Sequence, residues 1–263
     1  MSELIRTQRR DSLFEIILNR PEKRNALSWP MMTELSAAFA QAERETGLRA
    51  VLLRGEGSGF SAGIDVTAFM QAGEHFGEGW RENLFPLTAA YQAVTHQIER
   101  CSLPVIAVLH GYCLGLGMEI ALACDFRLVA EGTKMGLPET KLGIIPDVGG
   151  TTRLTRLIGI ARAKEYILTG RNFDLNKAEA WGLVNAVVAP DDLLPRAEAL
   201  AAELAQAAPL AVQYAKRVID SIADGGRGFE LEAWAQNQLI RTEDFATGVQ
   251  AMLLKQSPEW KGR

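Results

Sequence analysis

Cysteine and histidine are scarce in this chain, three of each among 263 residues. Cys101, Cys113 and Cys124 stand apart with no CxxC pair, which excludes a zinc ribbon and leaves no disulfide framework to read. Thiols used this sparingly fit a reducing compartment. His75, His96 and His110 are equally dispersed, and none adjoins a serine or cysteine in a nucleophile motif, so a catalytic triad has no support. His110 closes an apolar run and is expected to be a hydrogen-bonded core residue. A charge excess is lacking too: the net charge of −4 and pI near 5.6 leave no electrostatic footprint for nucleic acid. No apolar run approaches the length of a membrane span. The opening MSELIRTQRRDS carries arginines but also Glu3 and Asp11, without an apolar stretch, and does not read as a signal peptide. A cytoplasmic protein without membrane or nucleic-acid partners is therefore expected.

What the chain does have is apolar content, at 48%, and glycine, at 24 residues. That is enough for one large core, or for a main body with an appendage. Patterning divides it near Pro190. Before that point, short strands are expected at Leu13 to Leu18, Ala50 to Leu53, the start of Val105 to Asp125, Phe126 to Ala130 and Leu183 to Val188. Helices are expected at Met31 to Glu45, Thr88 to Arg100, Thr151 to Gly159, Ala161 to Leu168 and Leu175 to Trp181. Residues Val66 to Leu87 lose periodicity, and Lys134 to Gly150 read as a structured loop with one helical turn opened by Pro138. From Leu193 onward the pattern is helical, interrupted at Pro209 and at the glycine turn DGGRG.

The chemistry centres on Val105 to Asp125, VIAVLHGYCLGLGMEIALACD, where a buried strand runs into a glycine turn and then a helix. Glu119 sits in that helix's first turn among apolar neighbours. A first-turn carboxylate is favourable through the helix dipole alone, but burial among Met118, Ile120 and Ala121 also suits a carboxyl tuned for proton transfer. The turn Leu114-Gly115-Leu116-Gly117 offers free backbone amides to developing negative charge. Glu139, just past Leu137-Pro138, is a second first-turn carboxylate, and two such groups can divide acid and base work. Asp147, in IPDVGG, reads locally as a turn former. Gly55 to Asp65, GEGSGFSAGID, is either a tight turn or a loop that presents amides to a ligand.

Several of these stretches together resemble the crotonase, or enoyl-CoA hydratase/isomerase, superfamily. They are NRPEKRNAL at 19–27, FSAGIDV at 60–66, PVIAVLHGYCLGLGMEIALACDFRLVA at 104–130, MGLPETKLGIIPDVGGTTRLTRLIG at 135–159 and LTGRNFDLNKAEAWGLVNAVV at 168–188, with a C-terminal KGR. The resemblance implies an α/β fold, a crotonase-like spiral of ββα turns over residues 1–190, followed by a C-terminal helical trimerisation segment over 191–263. It also implies acyl-CoA thioester substrates and a homotrimer or a hexamer built as a dimer of trimers. By motif match, the oxyanion donors would be the backbone N–H groups of Ala62 and Leu116, and the acid/base pair Glu119 and Glu139, Glu119 activating water and Glu139 handling the proton at C2. Leu116 replaces a frequent glycine, but a backbone donor survives that change. CoA contacts would come from Lys23, Arg24, Asn25, Ala26, Ala62, Gly63, Ile64, Asp65 and Gly115. No metal and no separate cofactor are implied, coenzyme A being part of the substrate.

The resulting expectation is a 2-enoyl-CoA hydratase adding water across the 2,3 double bond. Asp147 keeps an alternative open, because dienoyl-CoA isomerases of the family carry a third carboxylate at the matching position; a Δ3,Δ2-enoyl or dienoyl isomerase would use Glu139 and Asp147. RNA-binding relatives form a remoter alternative. It finds little here, since the exposed side of Met31 to Glu45 offers Arg44 against Glu34, Glu43 and Glu45.

Overall fold

The computed structural model describes residues 3–223 and 228–263. The glycine turn expected at 224–228 lies outside the described residues apart from its last position. In chain order the elements are β1 (Ile5–Arg10), β2 (Leu13–Leu18), α1 (Trp29–Arg44), β3 (Ala50–Gly55), α2 (Val66–Met70), α3 (Gly73–Phe76), α4 (Phe85–Arg100), β4 (Val105–Leu109), β5 (Tyr112–Leu114) and α5 (Leu116–Ala123). There follow β6 (Phe126–Ala130), β7 (Lys134–Gly136), α6 (Gly150–Ile158), α7 (Ile160–Thr169), α8 (Leu175–Ala180), β8 (Ala186–Val188), α9 (Leu193–Ala205), α10 (Pro209–Ala223), α11 (Gly228–Leu239) and α12 (Glu243–Leu254).

Six strands form the main sheet in the order β1-β2-β3-β4-β6-β8, parallel except for the antiparallel β1–β2 edge. β4, VIAVL, is buried at every position, as a central parallel strand covered on both faces should be. One face packs against α1, α4, α5, α6 and α7 in the larger core. The other face is closed by α9, whose Leu193, Ala197 and Ala201 meet Leu52, Ile106 and Leu128. After β8 the chain passes through a short 3-10 turn, Pro190–Asp192, into α9, which completes the sheet's second layer.

The spiral is visible in a second, smaller ladder. β5 pairs with β7 in parallel, Cys113 opposite Met135, and Ser61 bridges Cys113 from the other side. Each turn therefore spends one strand in the main sheet and a short extended piece in this ladder before entering helical structure. Stacking these pieces brings 61–65, 112–117 and 134–139 side by side.

Several expectations are corrected. β1 was not foreseen, because Ile5 alone of its six residues is buried; an edge strand with charged, exposed positions lacks the apolar alternation that marks a strand. α4 begins at Phe85, and the region read as aperiodic contains α2, α3 and a 3-10 turn at Glu78–Arg81. The loop read at 134–150 includes β7, too short to show a period. His110 is not a core residue: it is half-buried in the link between β4 and β5, with Nε2 2.9 Å from the Gly57 carbonyl.

Candidate active site

α5 is shielded along its whole length, all eight of its residues buried. Glu119 is 2% exposed. Its Oε1 accepts two backbone hydrogen bonds, from Val148 N and Gly150 N, each 2.8 Å. One oxygen is thus pinned by the loop ahead of α6.

Glu139 opens the 3-10 turn Glu139–Leu142 and is 8% exposed. Its Oε2 is buried with no hydrogen-bond partner. Its other oxygen faces the entry to α5, because a Cβ placed on Gly115 would come within 3.1 Å of Glu139 Oε1. Gly115 has φ +51°. A side chain at this position would be strained by the backbone and would press on the carboxyl.

Burial pushes Glu119 up to about 8, helped by the charges of Glu139 and Asp147 and opposed by the two amides. Burial likewise pushes Glu139 up to about 7, and the charge of Asp147 adds to it. The pair therefore retains a proton around neutrality. The two amides on Glu119 favour negative charge there, but its deeper burial outweighs them, so in the free protein Glu119 holds its proton to higher pH than Glu139, whose Oε2 is bare.

Asp147 is more than a turn former. It is half-buried, its Oδ2 accepts from Thr88 Oγ1 of α4 at 2.8 Å, and its charge reaches both glutamates. Sequence position alone gave no means of bringing these three carboxyls together.

The amide expected from Ala62 is corrected. Ala62 N donates to the Arg24 carbonyl at 3.0 Å, so it is already engaged. Two residues on, Ile64 bridges Leu27 through its neighbours, Leu27 N donating to Gly63 O and Asp65 N to Leu27 O. That alternation turns the Ile64 N–H to the opposite side, and among the described residues it has no protein acceptor. The Leu116 N–H, at the first position of α5, has none either. The two segments are in contact, since a Cβ on Gly63 would meet Leu114 O at 2.8 Å and Gly115 Cα at 3.6 Å.

The remaining sequence candidates assemble around these amides in two roles. Lys23 and Arg24 are exposed, and the Arg24 guanidinium lies 5.7 Å from the Tyr112 ring centroid. The others hold the loop. Asn25 is fully buried, takes Arg20 N on Oδ1 at 2.8 Å and donates Nδ2 to the Glu56 and Gly59 carbonyls at 2.9 Å each. The Ala26 carbonyl accepts from Arg20, and Gly63 N donates to Ser61 Oγ. Asp65 caps α2 and pairs with Arg20 at 2.6 Å. Burial alone would raise its carboxyl, but Arg20 and the cap bonds hold it below its usual range.

Two buried carboxyls with raised pKa values, beside two unengaged amides, are the equipment of an enzyme that moves protons next to a carbonyl whose oxygen gains negative charge. Comparison with known proteins agrees. The family profile for enoyl-CoA hydratase/isomerase matches residues 8–263. YngF of Bacillus subtilis (strain 168), described as an enoyl-CoA hydratase/isomerase, is 39% identical over 259 residues, covering 97% of either chain. A carnitinyl-CoA dehydratase of Salmonella arizonae is 35% identical over the full length of both. The crystal structure of an enoyl-CoA hydratase from Bacillus anthracis superposes with a TM-score of 0.90 at 36% identity, covering 99% of this chain and 100% of that one. The chain belongs to the enoyl-CoA hydratase/isomerase family, the crotonase superfamily, whose members are enzymes acting on acyl-CoA thioesters.

Sequence reading missed the residues behind the pair. Thr88, Gln92, Thr95 and Glu99 of α4 bond to Asp147, Val148 or Arg153. Their one signal is a polar stripe at helical spacing, which most exposed helix faces share.

Proposed function

We propose that this protein is a 2-enoyl-CoA hydratase. The observation that carries the reading is the unequal holding of the two carboxyls, Glu119 by two amides and Glu139 by none on Oε2. The thioester oxygen takes hydrogen bonds from Ile64 N and Leu116 N. The reaction starts from the form with Glu119 ionised against its two amides and Glu139 protonated, the reverse of the order that burial alone gives the two carboxyls. Glu119 removes a proton from water as the water oxygen bonds to C3. The π electrons of the 2,3 bond shift toward the thioester, whose oxygen carries the charge against the two amides. Glu139 then delivers its proton to C2 from the same side. The net change moves one proton from Glu139 to Glu119, and exchange with solvent after product release restores the start. Coenzyme A arrives with the substrate, and no separate cofactor or metal takes part. Lys23 and Arg24, exposed beside these amides, suit the anionic CoA moiety.

The reading extends to a cytoplasmic enzyme that self-associates as a trimer or a hexamer. The exposed Ile219, Ile222, Trp234 and Ile240 on and beside α10 and α11 supply apolar surface for that association, and sedimentation tests it. Among the described residues no helix is long and apolar enough to cross a membrane.

Asp147 favours a second reading, an isomerase that shuttles a proton between C2 and a more distant carbon with Glu139 and Asp147. Incubation with crotonyl-CoA and longer 2-enoyl-CoAs, followed by loss of the conjugated absorbance, decides between them when run beside 3-enoyl- and dienoyl-CoA substrates. Hydration with Asp147→Asn still active supports the hydratase. Turnover of the 3-enoyl or dienoyl substrate alone, lost in Asp147→Asn, supports the isomerase.

A further inference from the structure

The two amides that pin Glu119 belong to a loop whose carbonyls are themselves held. Val148 N–H and the Asp147 carbonyl are opposite ends of one peptide unit. That unit is planar and stiff, so the direction of one end dictates the other. Gln92 Nε2 donates to the Asp147 carbonyl at 2.6 Å, while Val148 N donates to Glu119 Oε1 at 2.8 Å. Gln92 thus reaches Glu119 across a single peptide plane.

The next carbonyl is held as well. Thr95 Oγ1 lies 3.1 Å from Val148 O and 3.1 Å from the Gln92 carbonyl of its own helix, so its one proton is divided between them, while Arg153 donates to Val148 O at 3.2 Å and to Thr95 Oγ1 at 3.3 Å. Arg153 is in turn fixed by both oxygens of Glu99, at 3.1 and 2.7 Å. Residues 88, 92, 95 and 99 follow the four-three-four spacing of one helix face, so α4 presents a rail along which the 147–150 loop lies. Thr95 is fully buried.

We propose that Gln92 and Thr95 are positioning residues for the general base Glu119, acting through the peptide units of the 147–150 loop. The proposal rests on the reading of Glu119 as the base. With Gln92 gone, the Asp147–Val148 peptide is free to tilt and the hydrogen bond to Oε1 lengthens. Glu119 then loses both its aim at the water and part of the stabilisation of its charge. Misplacement of a catalytic group by about 1 Å can cost roughly 100-fold in rate.

The test uses the full-length protein and crotonyl-CoA hydration as a function of pH. Gln92→Leu removes the donor and shortens the side chain by one atom. Thr95→Val removes the hydroxyl in a near-isosteric form, and Thr95→Ser keeps it. Gln92→Leu and Thr95→Val are expected to lower kcat by roughly 10- to 100-fold with KM changed less than about twofold, whereas Thr95→Ser keeps near-normal kcat. The limb of the pH profile that reports ionisation of the base should move to higher pH in both impaired variants, because weaker amide donation favours the neutral carboxyl. The charged and titratable groups that face Glu119 and α5 include Glu139 and Asp147 at Glu119 itself, Arg127, Arg153, Asp125 and its partner Lys216 toward the C-terminal end, and His96, Glu99, Arg100 and Arg156 on the packed helices α4 and α6. None changes in these variants, so a moved limb reports the amides.

A lowered melting temperature with an unmoved limb and normal kcat would mean a structural role only and overturn the proposal. So would full activity in Thr95→Val. Glu119→Gln runs alongside: if it is inactive while the α4 variants behave as wild type, the proposal fails and the base assignment stands. If Glu119→Gln hydrates normally, the base assignment itself is wrong and the proposal falls with it.

Discussion

Glu119 and Glu139 are proposed to act as one acid/base pair, but the frames that carry them differ. Glu119 rides on a helix with no exposed residue, packed through Met118 on Cys113 and anchored at its C-terminal end by Arg127, which donates to the Ala121 and Cys124 carbonyls at 3.3 and 2.6 Å. Glu139 rides on a one-turn 3-10 segment, and the residues that follow it turn outward: Leu142, Ile144 and Ile145 are 68%, 51% and 61% exposed. The deep frame suits a group that must hold a charge in a fixed place, since its hydrogen-bond donors are part of the fold and cost no rearrangement during reaction. The shallow frame suits a group that must recover a proton after each turnover.

The contrast can be broken most directly at the charge itself. Glu119→Gln should lower kcat for crotonyl-CoA hydration by about 1,000-fold, or about 4 kcal/mol of barrier, with CoA-ester binding by titration nearly unchanged. Placing the same small substitution in each frame sharpens the comparison. In the deep frame a Cβ at Gly117 would lie 2.7 Å from Ser61 Cβ and 2.9 Å from its Oγ. Gly117→Ala should therefore cost about 3 kcal/mol in denaturant unfolding. In the shallow frame Gly143 has φ +79° but no neighbour within 4 Å, so Gly143→Ala should cost only about 1 kcal/mol, from backbone strain alone.

pH probes the two burials together. In the unfolded chain both carboxyls ionise near 4.5, whereas folding raises Glu119 to about 8 and Glu139 to about 7. Their favourable contribution is complete below pH 4.5 and is lost as pH climbs through the folded values, because the unfolded chain gives up protons that the folded one retains. Glu119→Gln should therefore narrow the fall in melting temperature between pH 5 and pH 9, each retained kcal/mol being worth roughly 2–4 °C. A wild-type protein more stable at pH 9 than at pH 5, with Glu119→Gln showing the same profile, would remove the case for a buried, protonated pair. The smallest effect belongs to the outward-facing turn: Ile145→Ser should change monomer stability by less than about 0.5 kcal/mol. A larger loss accompanied by a fall in sedimenting mass would put this turn in a subunit interface.

Much of the arrangement was readable from residue order. Glu119 stands out because a lone carboxylate interrupts LGLGMEIALA, and the central strand because VIAVL is continuously apolar. The family resemblance identified the partner Glu139, whose local sequence is an ordinary turn. β1 and β7 escaped because edge and short strands carry too few buried positions to display a period. Ala62 was misassigned for a related reason: which of three consecutive amides is free depends on the alternation imposed by pairing with Leu27, and that pairing spans a gap of more than thirty residues.

Residue order by itself thus determined the longer elements, their helical or extended character, and the chemical inventory of two glutamates, an extra aspartate and a glycine-rich turn; the edge strand β1, the short strand β7 and the short helices α2 and α3 lay beyond it. Tertiary structure alone decided which groups meet. It joined Ile64 to Leu116 as a pair of open amides, brought Asp147 within electrostatic reach of both glutamates, and ran α4 behind the loop that holds Glu119. Those are contacts between residues 29 to 59 positions apart where the hydrogen bonds define them. Free energies of burial and hydrogen-bond direction, which fix such contacts, have no expression in a linear sequence until the chain is packed.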